Sequence, residues 1–195
     1  MGQRPRDIQT NIQNLVNVIS NDDDGDEVPI ILQHLDADFI KDIRVFDYGS
    51  NKNKNFDFAK IVKLDQWKNA QEFRSDNLSI HAPMKHCTHF SYIDAEFENS
   101  DAEDLKVLTE TAIRSPKFEK FIIHLHKFSH DSRPRLHELF GSPYTDQDGQ
   151  LVLVLNTCEE EKTLRIDNYH MFSRLNFSLI DRSMVPNGAE VKNLL

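Results

Sequence analysis

An α/β domain of irregular strand–helix repeats, a short leucine-rich-repeat-like arc with C-terminal strands, is what the sequence predicts. Three observations carry that expectation. Two segments alternate: Ile93, Ala95 and Phe97 against Tyr92, Asp94 and Glu96, then Phe121, Ile123 and Leu125 against Ile122, His124 and His126. That is the period of strands with one buried face. A capped amphipathic pattern fills the interval between them. Strand centres near Val45, Phe73, Ala95 and Ile123 lie 28, 22 and 28 residues apart, the scale of units that stack to cover one another's apolar faces.

Taken in order, Ile8, Ile12, Leu15, Val16 and Ile19 recur at helical spacing and predict an amphipathic helix over 7–19. The run Asp22-Asp23-Asp24-Gly25-Asp26-Glu27 ends it as a solvated loop, because like charges resist burial. A calcium loop is excluded, since the alternating ligands and the bidentate Glu are missing. Residues 1–27 therefore read as an N-terminal helix and acidic loop, 28–185 as the repeat domain, and 186–195 as a frayed tail. Val28-Pro29 opens a helix to Leu35, followed by a strand over Ile43–Tyr48 and a turn-rich loop over 49–55. A helix within Phe58–Ala70 carries the only tryptophan, Trp67, and a short strand spans Glu72–Ser75.

Ser100-Asp101-Ala102-Glu103 has the form of a capping box, with Ser100 accepting from the third helical N–H. Leu105, Leu108 and Ala112 continue the buried stripe to Ser115, where Pro116 stops it. A helix over Pro134–Phe140 ends at Gly141, a residue suited to a left-handed cap. Strands follow over Leu151–Leu155, Thr163–Asp167 and Leu175–Ile180.

The 195 residues can bury one sizeable core, and 38% hydrophobic content with 13 Phe supplies it. A net charge of −9 argues against a nucleic-acid-binding surface, which requires a basic patch. No run approaches the roughly 18 apolar residues that span a membrane. The polar start, Met1-Gly2-Gln3-Arg4-Pro5-Arg6, has neither a secretory core nor a myristoylation signal. Two cysteines, Cys87 and Cys158, suit a reducing, intracellular compartment, cytoplasmic or nuclear.

Several segments resemble the FTH domain, a nematode module of unknown function found C-terminal to the F-box. Leu64-Asp65-Gln66-Trp67-Lys68-Asn69-Ala70 is similar to its "L-[DE]-Q-W-K-x-A" signature. His89-Phe90, the capped Ser100–Leu105 segment, Ser115-Pro116-Lys117-Phe118-Glu119-Lys120-Phe121 and Leu136-His137-Glu138-Leu139-Phe140-Gly141-Ser142-Pro143-Tyr144 follow in the family's order, with Thr163-Leu164-Arg165-Ile166 as its final strand. The resemblance spans roughly 28–180 and implies a recognition module of F-box proteins. No F-box-like pair of leucine-rich helices precedes it here, so direct docking to the Skp1 adaptor of a cullin ubiquitin ligase is in doubt. Each motif also has a structural account: Trp67 as a core anchor, Gly141 and Pro143 as a helix exit.

The stretch His81-Ala82-Pro83-Met84-Lys85-His86-Cys87-Thr88-His89-Phe90 is the one chemical oddity. A closed zinc site needs about four ligands, commonly in two pairs, and no second His/Cys pair with this spacing exists. A composite site of His89 with His124 and His126 is the alternative. Cys87 as a nucleophile beside His89 lacks the separation in sequence usual for such pairs. Phosphate loops and a G-x-S-x-G elbow are absent. Asp94 and Glu96 share a strand face and could form an acid–base pair, though solvated acidic faces are commoner.

The expectation is therefore a non-enzymatic protein-interaction module without cofactor or metal. Ile43, Val45, Phe73, Ile93, Ala95, Phe97, Phe121, Ile123 and Leu125 face the core. Arg44, Phe46, Tyr48, Glu72, Arg74, Tyr92, Asp94, Glu96, His124 and His126 form the opposite, partner-binding face. The alternatives are C-terminal strands covering that face, a scaffold or competitor adaptor that recruits no ligase, and a metal-dependent hydrolase.

Overall fold

Alternating apolar residues build the frame. A computed structural model describes residues 15–20, 27–47, 58–128, 132–169 and 174–194. Its elements run β1 (Leu15–Ser20), α1 (Glu27–Gln33), β2 (Asp42–Asp47), α2 (Asp65–Asn69), β3 (Glu72–Ile80), β4 (Tyr92–Ser100), α3 (Ala102–Arg114) and β5 (Lys120–Phe128). Then come α4 (Ser132–Phe140), β6 (Tyr144–Thr145), β7 (Leu151–Asn156), β8 (Lys162–Tyr169), β9 (Arg174–Asp181) and β10 (Val191–Lys192). The fold is mixed α/β around one ten-stranded sheet, in the order β1-β2-β3-β4-β5-β9-β8-β7-β10, with β6 beside β7.

β1 to β5 are parallel and adjacent in chain order. A parallel pair needs a long crossover, and here the helical segments supply it on one side of the sheet. Ile43, Val45, Phe73, Ile93, Ala95, Phe97, Phe121 and Ile123 are buried under Leu105, Leu108 and Ala112 of α3 and the aromatic knot around Trp67. All nine core residues expected from the alternation are buried. The Trp67 ring lies edge-on to Phe58, Phe73 and Phe90, with centroids 5.5, 4.8 and 4.8 Å away. Its indole N–H donates to the His86 carbonyl at 3.0 Å.

Four expectations are corrected. Leu15–Ser20 is a strand, not the end of a helix over 7–19: its β-branched Val16, Val18 and Ile19 pair in parallel with Ile43, Val45 and Phe46, and pairing overrides local periodicity. Residues 7–14, and the acidic run from Asp22 to Asp26, lie outside the described residues, while Glu27 opens α1. The cap of α3 is Asp101, whose carboxylate accepts from the Asp104 N–H at 2.9 Å. Ser100 is still held in β4 opposite Phe128, so the helix starts one residue later than a Ser100 cap requires. The tail expected to fray includes β10, in parallel register with Val154 and Leu155.

The fourth correction concerns β3, which runs to Ile80 rather than Ser75. Between the pairs Arg74↔Asp94 and Ser79↔Glu96, five residue steps of β3 pass against two of β4. Asn77 sits there at φ +59°, a backbone region in which Asn is enriched among non-glycine residues. The odd surplus flips the alternation, so Leu78 and Ile80 turn to the core and Ser79 turns to the opposite face.

Beyond β5 the sheet continues edge-on, with β9, β8 and β7 antiparallel. These strands therefore extend the sheet rather than fold over the face of β2–β5. Leu164, Ile166, Leu175 and Phe177 extend the core, and Phe177 lies opposite Phe121, ring centroids 6.2 Å apart. α4 ends at Gly141, φ +74°, whose N–H donates to the His137 carbonyl.

Candidate interaction face

The face opposite the helices is set by strand register. In successive rows it carries Asp42, Glu72, Tyr92 and Lys120, then Arg44, Arg74, Asp94 and Ile122; past these the bulge breaks the row, so Phe46 lies beside Asp76 on one side of it and Ser79, Glu96 and His124 align on the other. The structure thus places Arg44, Phe46, Glu72, Arg74, Tyr92, Asp94, Glu96, His124 and His126 on one side of four adjacent strands. Tyr48 lies outside the described residues. Apart from Ile122, which is buried, these open-face side chains keep water contact.

The polar groups are tied to one another. Arg44 and Arg74 each reach a carboxylate two residues back on their own strand, Asp42 at 2.6 Å and Glu72 at 2.8 Å. Arg74 also lies over the Tyr92 ring, 4.4 Å from its centroid, a cation–π contact that fixes both side chains. Burial pushes the Tyr92 hydroxyl up from its ordinary value, and the Asp94 carboxylate adds to the shift. Across to β5, Asp94 meets His124 at 3.4 Å and Glu96 meets His126 at 3.2 Å. At the other end of β4, Glu98 meets His81 at 3.0 Å. Ser79, turned outward by the bulge, donates to Glu96.

Glu98 continues the alternation of Tyr92, Asp94 and Glu96 past Phe97, where the expected strand stopped. Sequence reasoning missed His81 and Ser79 because the bulge that brings them here leaves no alternation to read. Asn77 amid polar neighbours was its only local signal.

The histidine-rich stretch is divided among three jobs. His81 belongs to the open face. His86 offers its carbonyl to Trp67. The His89 ring donates from Nε2 to the Trp67 carbonyl at 2.8 Å, and burial lowers its affinity for a proton, partly countered by that bond. His89 therefore packs against the aromatic knot, on the side of the sheet away from His124 and His126, and the composite site does not assemble. Among the described residues, no group of three or more His, Cys, Asp or Glu side chains converges to hold a metal. Cys87 is buried, and burial, with Asp104 nearby, pushes its thiol up to about 12. That suppresses the thiolate a nucleophile requires.

On the antiparallel half the same side of the sheet is covered at β7. Val152 and Val154 of β7 are buried and share a cavity lining with Tyr144, Gly188, Glu190 and Lys192. Lys192 donates to the Ser142 carbonyl at 2.9 Å, and a side chain at Gly141 would run into it.

A search of curated proteins and a search of solved structures each found no match. The sequence model of the FTH domain matches residues 11–143, from before β1 to the turn after α4, and leaves β6–β10 outside. It starts earlier and stops sooner than the resemblance over 28–180. Covering two-thirds of the chain, it shows that this protein belongs to the FTH domain family.

Proposed function

We propose that the chain is a non-catalytic protein-interaction module whose open β2–β5 face docks a protein partner. The observation that carries this reading is the array of mutually paired charges with a fixed aromatic, Arg74 on Tyr92, left uncovered on the helix-free side of β2–β5. Tyr and Arg held in place lose little entropy on binding and are the usual anchors of protein contacts. Parallel strands in chain order with crossovers on one side suit a short leucine-rich-repeat-like arc, in which the helix-free side does the binding. Membership of the FTH family supports a recognition role related to nematode F-box ubiquitin ligases, exercised inside the cell, cytoplasmic or nuclear. No helix among the described residues is long and apolar enough to cross a membrane.

A second reading is a scaffold or competitor that binds the same proteins without recruiting a ligase. Robust co-purification of Skp1 and cullin with the full chain would sink it, and their absence would favour it. The docking face is tested by Tyr92→Ala with His124→Ala. Partner capture is expected to be lost while stability falls by about 1 kcal/mol or less, as for half-exposed positions. Unfolding of the double variant, or undiminished capture, overturns the assignment.

A further inference from the structure

We propose that the open face grips a basic, Lys/Arg-bearing protein segment and that pH sets its grip through the three imidazole–carboxylate pairs flanking β4; this rests on the docking reading above. The pairs occupy successive outward positions of one strand. Asp94 Oδ1 lies 3.4 Å from His124 Nε2, Glu96 Oε1 lies 3.2 Å from His126 Nδ1, and Glu98 Oε2 lies 3.0 Å from His81 Nδ1. Two of the imidazoles come from β5 and the third from just beyond β3, so the row is bracketed on both sides.

Histidine is the side chain whose charge ordinarily changes between pH 5 and 8. The carboxylates of β4 are thus paired with imidazoles, unlike Asp42 and Glu72, which hold arginine cations.

The groups facing this row from the packed strands decide the sign. From β2 come Asp42 and Arg44, and from β3 come Glu72, Arg74, Asp76 and the Ser79 hydroxyl. From β5 come Lys120 and Ile122, and Arg174 of β9 lies opposite His124. Asn99 approaches His81 at 3.5 Å. With the imidazoles neutral, the carboxylates at 42, 72, 76, 94, 96 and 98 outnumber the cations at 44, 74, 120 and 174 six to four. A basic segment complements that surface. Protonating the three imidazoles cancels the excess, so acidification releases the segment. By linkage, a bound basic segment opposes proton uptake at the same histidines.

The test measures fluorescence anisotropy of a labelled oligo-arginine peptide against the full chain, at low salt, at about pH 7.5 and about pH 5.5. The expected result is binding at the higher pH that weakens about tenfold at the lower one, the scale of three partly exposed charge pairs. His81→Gln, His124→Gln and His126→Gln together are expected to flatten that dependence. Asp94→Asn with Glu96→Gln is expected to weaken binding at the higher pH. Thermal melts at both pH values establish folding; if the triple variant does not fold, His126→Gln alone must reduce the pH slope. Equal affinity at both pH values, a slope unchanged by the histidine variants, no binding at the higher pH, or binding indifferent to Asp94→Asn/Glu96→Gln overturns the proposal. The docking reading then stands if Tyr92→Ala/His124→Ala still releases a captured partner, and falls if it does not.

Discussion

The parallel and antiparallel halves share one sheet yet solve the covering problem in opposite ways. In β2–β5 each connection must return along the sheet, so helical crossovers occupy one side and leave the other free. That free side is polar, and its charges satisfy one another. In β7–β9 short connections cover nothing. Their core-side residues Leu153, Ile166, Leu175 and Phe177 instead meet Leu136 and Phe140 of α4 and Leu105 of α3 around an apolar cavity. On their other side β7 carries Val152 and Val154, which are apolar and line a cavity with the C-terminal segment, whereas β8 and β9 carry Arg165, Asp167, Asn176 and Ser178. Which side of a sheet stays open is thus decided by connection type and then by side-chain chemistry.

The contrast can be broken hardest at the aromatic knot. Trp67→Ala removes the ring that touches Phe58, Phe73 and Phe90 and orphans the His86 carbonyl. A loss of about 3–5 kcal/mol is expected in urea denaturation, a large share of a typical domain's stability. A loss under about 1 kcal/mol would show that the parallel half does not depend on this knot.

A smaller effect sharpens the other half. Deleting residues 186–195 removes β10 and uncovers Val152 and Val154, with an expected cost of about 1–2 kcal/mol. Hydrogen exchange should quicken in β7 and stay unchanged in β3–β5. Faster exchange throughout the sheet would mean that the two halves are not separately covered.

Much of the frame was legible because burial on one face imposes strict alternation. Ile93-Ala95-Phe97 and Phe121-Ile123-Leu125 announced β4 and β5, and the apolar runs at 151–155 and 175–180 announced β7 and β9. Residues 15–20 were misread because one apolar set fits both a helical stripe and a strand, and only the partner strand decides. Ser100 and Asp101 are both competent caps; where β4 stops pairing chooses between them. β10 is two residues long and pairs with residues far away in sequence, so no local pattern marks it. The face residues followed from alternation alone, but which histidine meets which carboxylate depends on parallel register and on the bulge at Asn77. Neither is written in any one segment.

The unequal placement of the two thiols has a practical consequence. Cys87 is sealed in the core with its thiol pushed up to about 12, whereas Cys158 is exposed, its N–H bonded to the Ile113 carbonyl at the end of α3. Alkylation under native conditions near pH 8 should modify Cys158 alone, read as a single adduct in intact mass, with a second appearing only on denaturation. The unmutated chain therefore offers one attachment point for a fluorophore, beside α3 and away from the ladder of β4.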